Sequence, residues 1–158
     1  MDDQGRRLLI IGGGAAGMSA ATAARRLQEN REIVVLERGP HVSFVLCGLP
    51  YFVSGIVKDF DSLIVYTPEH FRSERNIDVR TGHEVRRIDA GASLVEAINF
   101  WNGEKTIIPY DKLVIAAGAQ AVMPNIPGIS LAGVFTLRSL EAGTAIKNGL
   151  AGRDKIGG

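Results

Sequence analysis

Leu8-Leu9-Ile10-Ile11-Gly12-Gly13-Gly14-Ala15-Ala16-Gly17-Met18-Ser19-Ala20-Ala21 is the stretch that decides the fold. Residues 8–11 form a short, continuous apolar run, as expected of a central parallel strand covered on both faces. The run ends in glycines and then becomes alanine-rich. This predicts a helix from Ala15 to Leu27 that places Arg25 and Arg26 near the negative end of its dipole. Glu-Ile-Val-Val-Leu at 32–36 reads as a second buried strand. Strand, helix and strand fit within about 30 residues, the size of one βαβ unit. Gly12-Gly13-Gly14-Ala15-Ala16-Gly17 therefore satisfies G-x-G-x-x-G in the place that gives it meaning, after a strand and opening a helix. Gly12 permits the tight turn, Gly14 lets the backbone approach a pyrophosphate, and Gly17 lets the helix lie close on the sheet. The N–H groups around Ala15 and Ala16 are offered to the anion. Glu37 follows Gly17 by 20 residues. A carboxylate there accepts hydrogen bonds from ribose hydroxyls, with Arg38 beside it, and repels a 2′-phosphate. These residues predict a dinucleotide site and leave open whether the ligand is FAD or NAD.

Outward from this unit, Thr67-Pro68-Glu69 marks a helix start, with Thr67 as N-cap and Pro68 in the first turn, running to Arg75. Alternating segments at 78–81 and 84–89 lead to strands at 94–101 and 104–109. Asn102-Gly103 between these two favours a type I′ hairpin. A buried strand is expected at 113–116, and Gly118 then opens a loop containing Pro124, Pro127 and Gly128. A last short strand is expected at 134–136, and Ser139 caps a final helix from Leu140 to about Leu150. The prediction is an α/β, Rossmann-like fold. It is a doubly wound parallel sheet with a small antiparallel β insertion at about 78–109, all within one domain over 1–150. Residues 151–158 read as a fraying tail or a truncation point.

Composition narrows the function. With 46% hydrophobic residues, 158 residues suffice for a real core. Net charge is +1 with cations scattered, which speaks against a nucleic-acid or anionic-membrane partner. No apolar run approaches the roughly 20 residues that span a bilayer. The polar start and the single cysteine fit a cytoplasmic protein without an internal disulfide. His41, His70 and His83 lack partners at metal-ligand spacing, so no metal site is expected. Trp101 is expected to pack on the hairpin rather than against a ligand. Arg72, Glu74 and Arg75 read as the wet face of a helix.

Cys47 lies in Ser43-Phe44-Val45-Leu46-Cys47-Gly48-Leu49-Pro50-Tyr51, ten residues beyond Glu37. Pro50 and its apolar neighbours suggest a helix starting just after the cysteine. A helix N-terminus stabilises a thiolate, the nucleophile of disulfide exchange. Ser43 is placed to hydrogen-bond near the sulfur. The residues alone equally allow an inert, buried thiol, since free cysteines are among the most buried side chains.

The glycine block taken with Ser43-Phe44-x-x-Cys47-Gly48-Leu49-Pro50-Tyr51 resembles the pyridine nucleotide–disulfide oxidoreductases. Within them it looks like the single-cysteine branch of CoA-disulfide reductases, NADH oxidases and persulfide reductases. Thr67-Pro68-Glu69, Thr81-Gly82-His83-Glu84-Val85 and Tyr110-Asp111-Lys112-Leu113-Val114-Ile115-Ala116-Ala117-Gly118 are similar to further family blocks in the same order. The resemblance implies FAD at the N-terminal site, with Gly12, Gly14 and Gly17 at the pyrophosphate and Glu37 at the adenosine ribose. It puts the Val85 backbone at the adenine and Ala117-Gly118 near the diphosphate. Cys47 and Ser43 would face the flavin ring, with Cys47 forming a mixed disulfide with the substrate. Arg26 matches a position that contacts coenzyme A.

The resemblance also implies a longer, homodimeric parent with NADH- or NADPH-binding and dimerisation domains absent from these 158 residues, which alone would be inactive. The substrate implied is a small disulfide, a persulfide or a CoA-type compound. Three departures stand out. Cys47 has no second cysteine, which excludes a dithiol shuttle. Ala15 occupies a place where NADH peroxidases and many oxidases carry His. Leu46 stands where CoA-disulfide reductases often have Asn. Other readings of the same residues are a non-catalytic dinucleotide-binding or redox-sensing module, an NADH oxidase-type flavoprotein, and an NAD-binding domain with an inert cysteine.

Overall fold

The computed structural model describes residues 6–150. They form two compact units. One takes the chain up to Phe44 and again Tyr66–Gly118; the other takes Val45–Val65 and the chain from Ala119 onward.

The first unit is built on four parallel strands, β1 (Arg7–Ile11), β2 (Glu32–Leu36), β3 (Asp78–Arg80) and β7 (Lys112–Ile115), in the order β3-β2-β1-β7. Register is continuous, with Leu9 opposite Val34 and Leu113, and Val35 opposite Val79. Alternate side chains leave the sheet on opposite faces. Leu8, Ile10, Ile33, Val35 and Val79 point to one side, where they pack with Met18 and Ala21 of α1 (Ala15–Leu27) and Phe71 of α3 (Pro68–Arg75). Leu9, Val34 and Leu36 point to the other, where they meet Val95, Ala97 and Ile108. The last three belong to an antiparallel sheet of β4 (His83–Asp89), β5 (Leu94–Asn99) and β6 (Lys105–Pro109), which covers that second face. Each fully buried aliphatic side chain contributes about 1.5–3 kcal/mol, against roughly 0–1 kcal/mol for an exposed ion pair such as Arg87–Glu96. The two apolar layers, rather than the surface charges, hold the strands in place.

Helix ends follow the sequence closely. Thr67 Oγ1 accepts the His70 N–H at 3.3 Å, and α3 ends at Asn76 in the left-handed conformation. The Glu69 carboxyl is held below its ordinary value by backbone hydrogen bonding, the Thr67 side chain and the nearby Arg72 cation. A lowered carboxyl stabilises the fold at neutral pH, and that contribution is lost as acidification carries the group through its folded value. Arg25 closes the other end of this layer. Its guanidinium donates to the carbonyls of Arg75 (3.0 Å) and Asn76 (2.6 Å) at the C-terminal end of α3, and to those of Gln28 (3.2 Å) and Glu29 just after α1. One cation thus satisfies carbonyls that both helix ends leave without intrahelical partners.

The structure corrects several expectations. The antiparallel insertion begins at His83 rather than near 78. Asp78–Arg80 is instead the edge strand of the parallel sheet, because Val79 fits between Val35 and α3 and Gly82 (φ 69°) reverses the chain afterwards. Asn102-Gly103 is not a two-residue type I′ turn: only Gly103 has positive φ, and the loop covers four residues between Asn99 and Glu104. Asn99 Oδ1 takes the Trp101 N–H (2.8 Å) and Asn102 Oδ1 takes the Glu104 N–H (2.9 Å), side-chain bonds that favour the wider loop. β7 is an edge strand with Ile115 exposed, not a buried one. Residues 134–136 form no strand; Val134 and Phe135 are exposed, and the Val134 N–H turns back to the Leu131 carbonyl at 3.2 Å. Arg72 is not merely a wet residue, since it donates to the Val79 carbonyl and lies 3.8 Å from Asp78, joining α3 to β3. Arg75 lies with its guanidinium carbon 6.0 Å from the Tyr66 ring centre.

In the second unit, Leu46–Gly48 forms one 3₁₀ turn and leads into α2 (Leu49–Val53). α4 (Leu140–Leu150) is capped by Ser139, whose Oγ accepts the Ala142 N–H at 3.1 Å. Gly143 lets α4 approach α2, because a Cβ there would lie 3.1 Å from Leu49 Cδ2. Lys147 of α4 sits 4.1 Å from the Phe52 ring centre and donates to the Lys58 carbonyl at 3.1 Å. Residues 148–150 are helical, and the expected fraying tail at 151–158 lies outside the described residues.

Arg25→Ala should leave two helix ends with unsatisfied carbonyls and lower stability by roughly 2–4 kcal/mol, given hydrogen bonds to a charged group. A thermal melt followed by circular dichroism checks this; an unchanged midpoint would show that water replaces the guanidinium without loss.

Candidate functional site

The glycine turn joins β1 to α1, and its glycines stand in different surroundings. Gly12 has φ 105°, and a Cβ on it would lie 2.2 Å from the Ala116 carbonyl oxygen. The segment after β7 therefore runs directly beside the turn, with Ala116 N–H bonded to the Ile11 carbonyl at 2.7 Å. Gly118, at φ 71°, then turns the chain away. A Cβ on Gly17 would meet the Gly12 carbonyl oxygen at 1.8 Å, so only glycine allows α1 to lie this close to the turn. Gly14 differs: a Cβ there meets nothing within 4 Å. It is the N-cap of α1, with no side-chain cap and no acidic residue in the first turn. The first helical bond is Met18 N–H to Gly14 carbonyl at 3.0 Å, so the N–H groups of Ala15, Ala16 and Gly17 precede the ladder. Open space beside uncapped N–H groups at the positive end of a helix is what a pyrophosphate fits.

Glu37 stands at the end of β2 and faces this turn. Its Oε2 accepts the Gly13 N–H at 2.6 Å and its Oε1 accepts the Gly39 N–H at 2.7 Å. Each carboxylate oxygen keeps a second acceptor position, so hydroxyl donors can still be received. The Glu37 carbonyl takes the His83 N–H at 2.9 Å, which joins β2 to the start of β4. Arg38, mostly exposed, approaches Glu84 at 3.8 Å. Val85 directs its side chain into the layer beneath, at a break in the β4–β5 register between Val85 and Arg87. Ser43 holds φ 51°, and its N–H donates to the Gly13 carbonyl at 2.9 Å, so its position is set by the turn.

The structure thus gathers Gly12, Gly14, Ala15, Ala16, Gly17, Glu37, Ser43, Ala117 and Gly118 around one turn. Arg26 is not among them. It is exposed in the last turn of α1, about 16 Å along the axis from the helix start at 1.5 Å per residue. Gly13 and Gly39 were missed by sequence reasoning. Their part is an N–H bond to a carboxylate 24 residues away in one case and two residues away in the other, and spacing carries no sign of it. Trp101, expected to pack on the hairpin, instead sets its indole over Gly82, the residue before β4.

Cys47 belongs to the second unit and is exposed, which contradicts the alternative of a thiol buried in the core. It is the middle residue of the 3₁₀ turn. Gly48 packs beneath, where a Cβ would come 2.6 Å from Leu63 Cδ2. The expected helix after the cysteine exists, but α2 is only five residues long. Among the described residues no group of three His, Cys, Asp or Glu side chains is placed to hold a metal ion, and no helix is long and apolar enough to cross a membrane.

Residues 6–156 match the pyridine nucleotide-disulphide oxidoreductase family. The chain belongs to that family. It is 38% identical over 122 residues to an NADH oxidase of Methanocaldococcus jannaschii and, over the same length, 38% identical to a coenzyme A disulfide reductase of Staphylococcus haemolyticus. Each alignment covers 77% of this chain and 27% of the relative. Among solved structures, reduced CoADR-RHD of Bacillus anthracis superposes with a TM-score of 0.89 at 36% identity, over 92% of this chain and 26% of that one. An NAD-dependent persulfide reductase from A. fulgidus gives 0.85 at 40% identity, over 90% and 26%. The chain therefore spans about a quarter of the length of these pyridine nucleotide-disulphide oxidoreductases. The family is one of oxidoreductases that work with FAD and NAD(P)H, and the open space over Gly14 fits a dinucleotide of that kind.

Gly14→Ala and Gly17→Ala should separate binding from folding. Gly17→Ala forces a Cβ into backbone and should cost about 3 kcal/mol or more. Gly14→Ala meets nothing and should melt within about 2–3 °C of the wild type. Parallel thermal melts check the pair; equal losses would contradict the different surroundings of the two glycines.

Proposed function

We propose that this chain is the FAD-binding part of a flavoprotein that uses NADH or NADPH to reduce a small disulfide or persulfide, of the coenzyme A disulfide kind, through Cys47. The observation that carries the reading is the glycine turn with Glu37 held against it. Gly12, Gly14 and Gly17 with the N–H groups of Ala15 and Ala16 bind the pyrophosphate. Glu37 receives the adenosine ribose hydroxyls, with Arg38 beside it. The Val85 backbone borders the adenine, and Ala117-Gly118 the diphosphate. Bound FAD supplies a ring that takes up a hydride's two electrons and passes them on to sulfur.

Cys47 is the nucleophile. Its thiolate attacks one sulfur of the substrate disulfide, a Cys47–substrate disulfide forms, and the other half leaves as a thiolate. Ser43 lies four residues before it in the chain and is proposed as a polar neighbour of the sulfur. Its own N–H bond to the Gly13 carbonyl sets its place beside the glycine turn. Arg26, distant from the turn, is proposed as an outer contact for a coenzyme A phosphate. Domain organisation is proposed to be a dinucleotide-binding domain over 1–150 within a longer, homodimeric, cytoplasmic parent. Similarity to the Methanocaldococcus jannaschii NADH oxidase favours a second reading, with oxygen as acceptor. Ala15 in place of the histidine found in many oxidases weighs against it.

Two measurements test this. FAD added to the chain should remain bound through desalting and give a yellow protein with absorption in the blue, with NADH turnover absent. Coenzyme A disulfide should add one coenzyme A mass to the wild type and release one thiol, while Cys47→Ser adds none; the readouts are intact mass and thiol titration. A Cys47 that reacts only after denaturation would end the redox role.

A further inference from the structure

The tip of the β5–β6 hairpin is tied to the carboxylate end of the glycine turn. The Trp101 indole lies so close over Gly82 that a Cβ there would come 2.0 Å from Nε1 and 2.5 Å from Cε2. Gly82 holds φ 69°, and its carbonyl accepts the Phe100 N–H at 2.7 Å. On its other side, Gly82 N–H donates to the Gly39 carbonyl at 3.2 Å, and His83 N–H donates to the Glu37 carbonyl at 2.9 Å. Gly39 and Gly13 in turn give their N–H groups to the Glu37 carboxylate. A relay of backbone bonds thus runs from the hairpin tip through Gly82-His83 to Glu37. Trp101 itself is 67% exposed, so its contribution to the apolar core is small. Its close contact is with a glycine that has no side chain to restrict its own backbone.

We propose that Trp101 is a positioning residue for Glu37: by covering Gly82 it fixes the Gly82-His83 backbone, and so sets the ribose-accepting carboxylate. This deepens the reading of Glu37 given above and rests on it. Hydrogen bonds to a carboxylate weaken with small errors of distance and angle, so a loosened relay should weaken a ligand that carries ribose. A ligand held only by Gly14 and the start of α1 gains nothing from Trp101.

The test is calorimetric titration of the 158-residue chain with ADP and, separately, with inorganic pyrophosphate. Trp101→Ala should weaken ADP about 5–10-fold, the scale of one or two impaired hydrogen bonds. Pyrophosphate affinity should stay within about 2-fold, because that ligand does not meet Glu37. Trp101→Phe, which keeps a ring over Gly82, should recover most of the ADP affinity. In a Glu37→Gln background, Trp101→Ala should cost ADP nothing further, since the two changes act on one interaction. Equal weakening of both ligands would mark a merely structural role and overturn the proposal, as would full additivity with Glu37→Gln. Should Trp101→Ala fail to fold, Trp101→Leu reads the same contrast. ADP binding that is indifferent to Trp101 sinks this inference alone, whereas a wild type that binds neither ligand removes the dinucleotide reading and this inference together.

Discussion

Two backbone N–H groups, from Gly13 and Gly39, converge on the carboxylate of Glu37, and the arrangement around the turn depends on that convergence. The acid is part-buried at the end of β2, where a lone charge would be costly, and two charge-assisted bonds at 2.6 and 2.7 Å offset that cost. In return the carboxylate fixes the glycine turn from the side opposite the Ala116 carbonyl. The turn is gripped between two strands of the same sheet. Gly14, by contrast, faces open space. A rigid surround with one open position is the preorganisation that a bound anion needs.

The sheet beneath keeps this geometry because both of its faces are covered. α1 and α3 close one face, and the antiparallel β4–β6 sheet closes the other. The insertion is therefore more than decoration on the domain. Val95, Ala97 and Ile108 shield Leu9, Val34 and Leu36, while the first residue of β4 bonds the Glu37 carbonyl. Packing and site share the same strands, so a change in the hairpin can reach the carboxylate through few bonds.

Much of this was legible in the sequence, and the reasons are local. The spans of α1, β2 and α3 follow from apolar runs, from Gly12–Gly14 and from the Thr67-Pro68 start, signals that act within a few residues. Legibility failed where partners far along the chain decide. Asp78–Arg80 looks like the start of the insertion until Val35 pairs with Val79. Residues 134–136 have strand composition but no strand to pair with, and Asn102-Gly103 has hairpin composition but yields to bonds from Asn99 and Asn102. In the candidate site the glycines and Glu37 were readable from spacing. The Gly13, Gly39 and Gly82 contacts were not, because hydrogen bonds between backbone and distant groups leave no composition mark.

In the function proposed, this turn and this carboxylate together receive an adenine dinucleotide. A crystal structure of the chain with FAD tests it most directly. The expected result is the pyrophosphate over Gly14 at the start of α1 and the adenosine ribose on Glu37, with the Gly13 N–H bond retained. FAD bound elsewhere, or at the turn with its ribose away from Glu37, would contradict it.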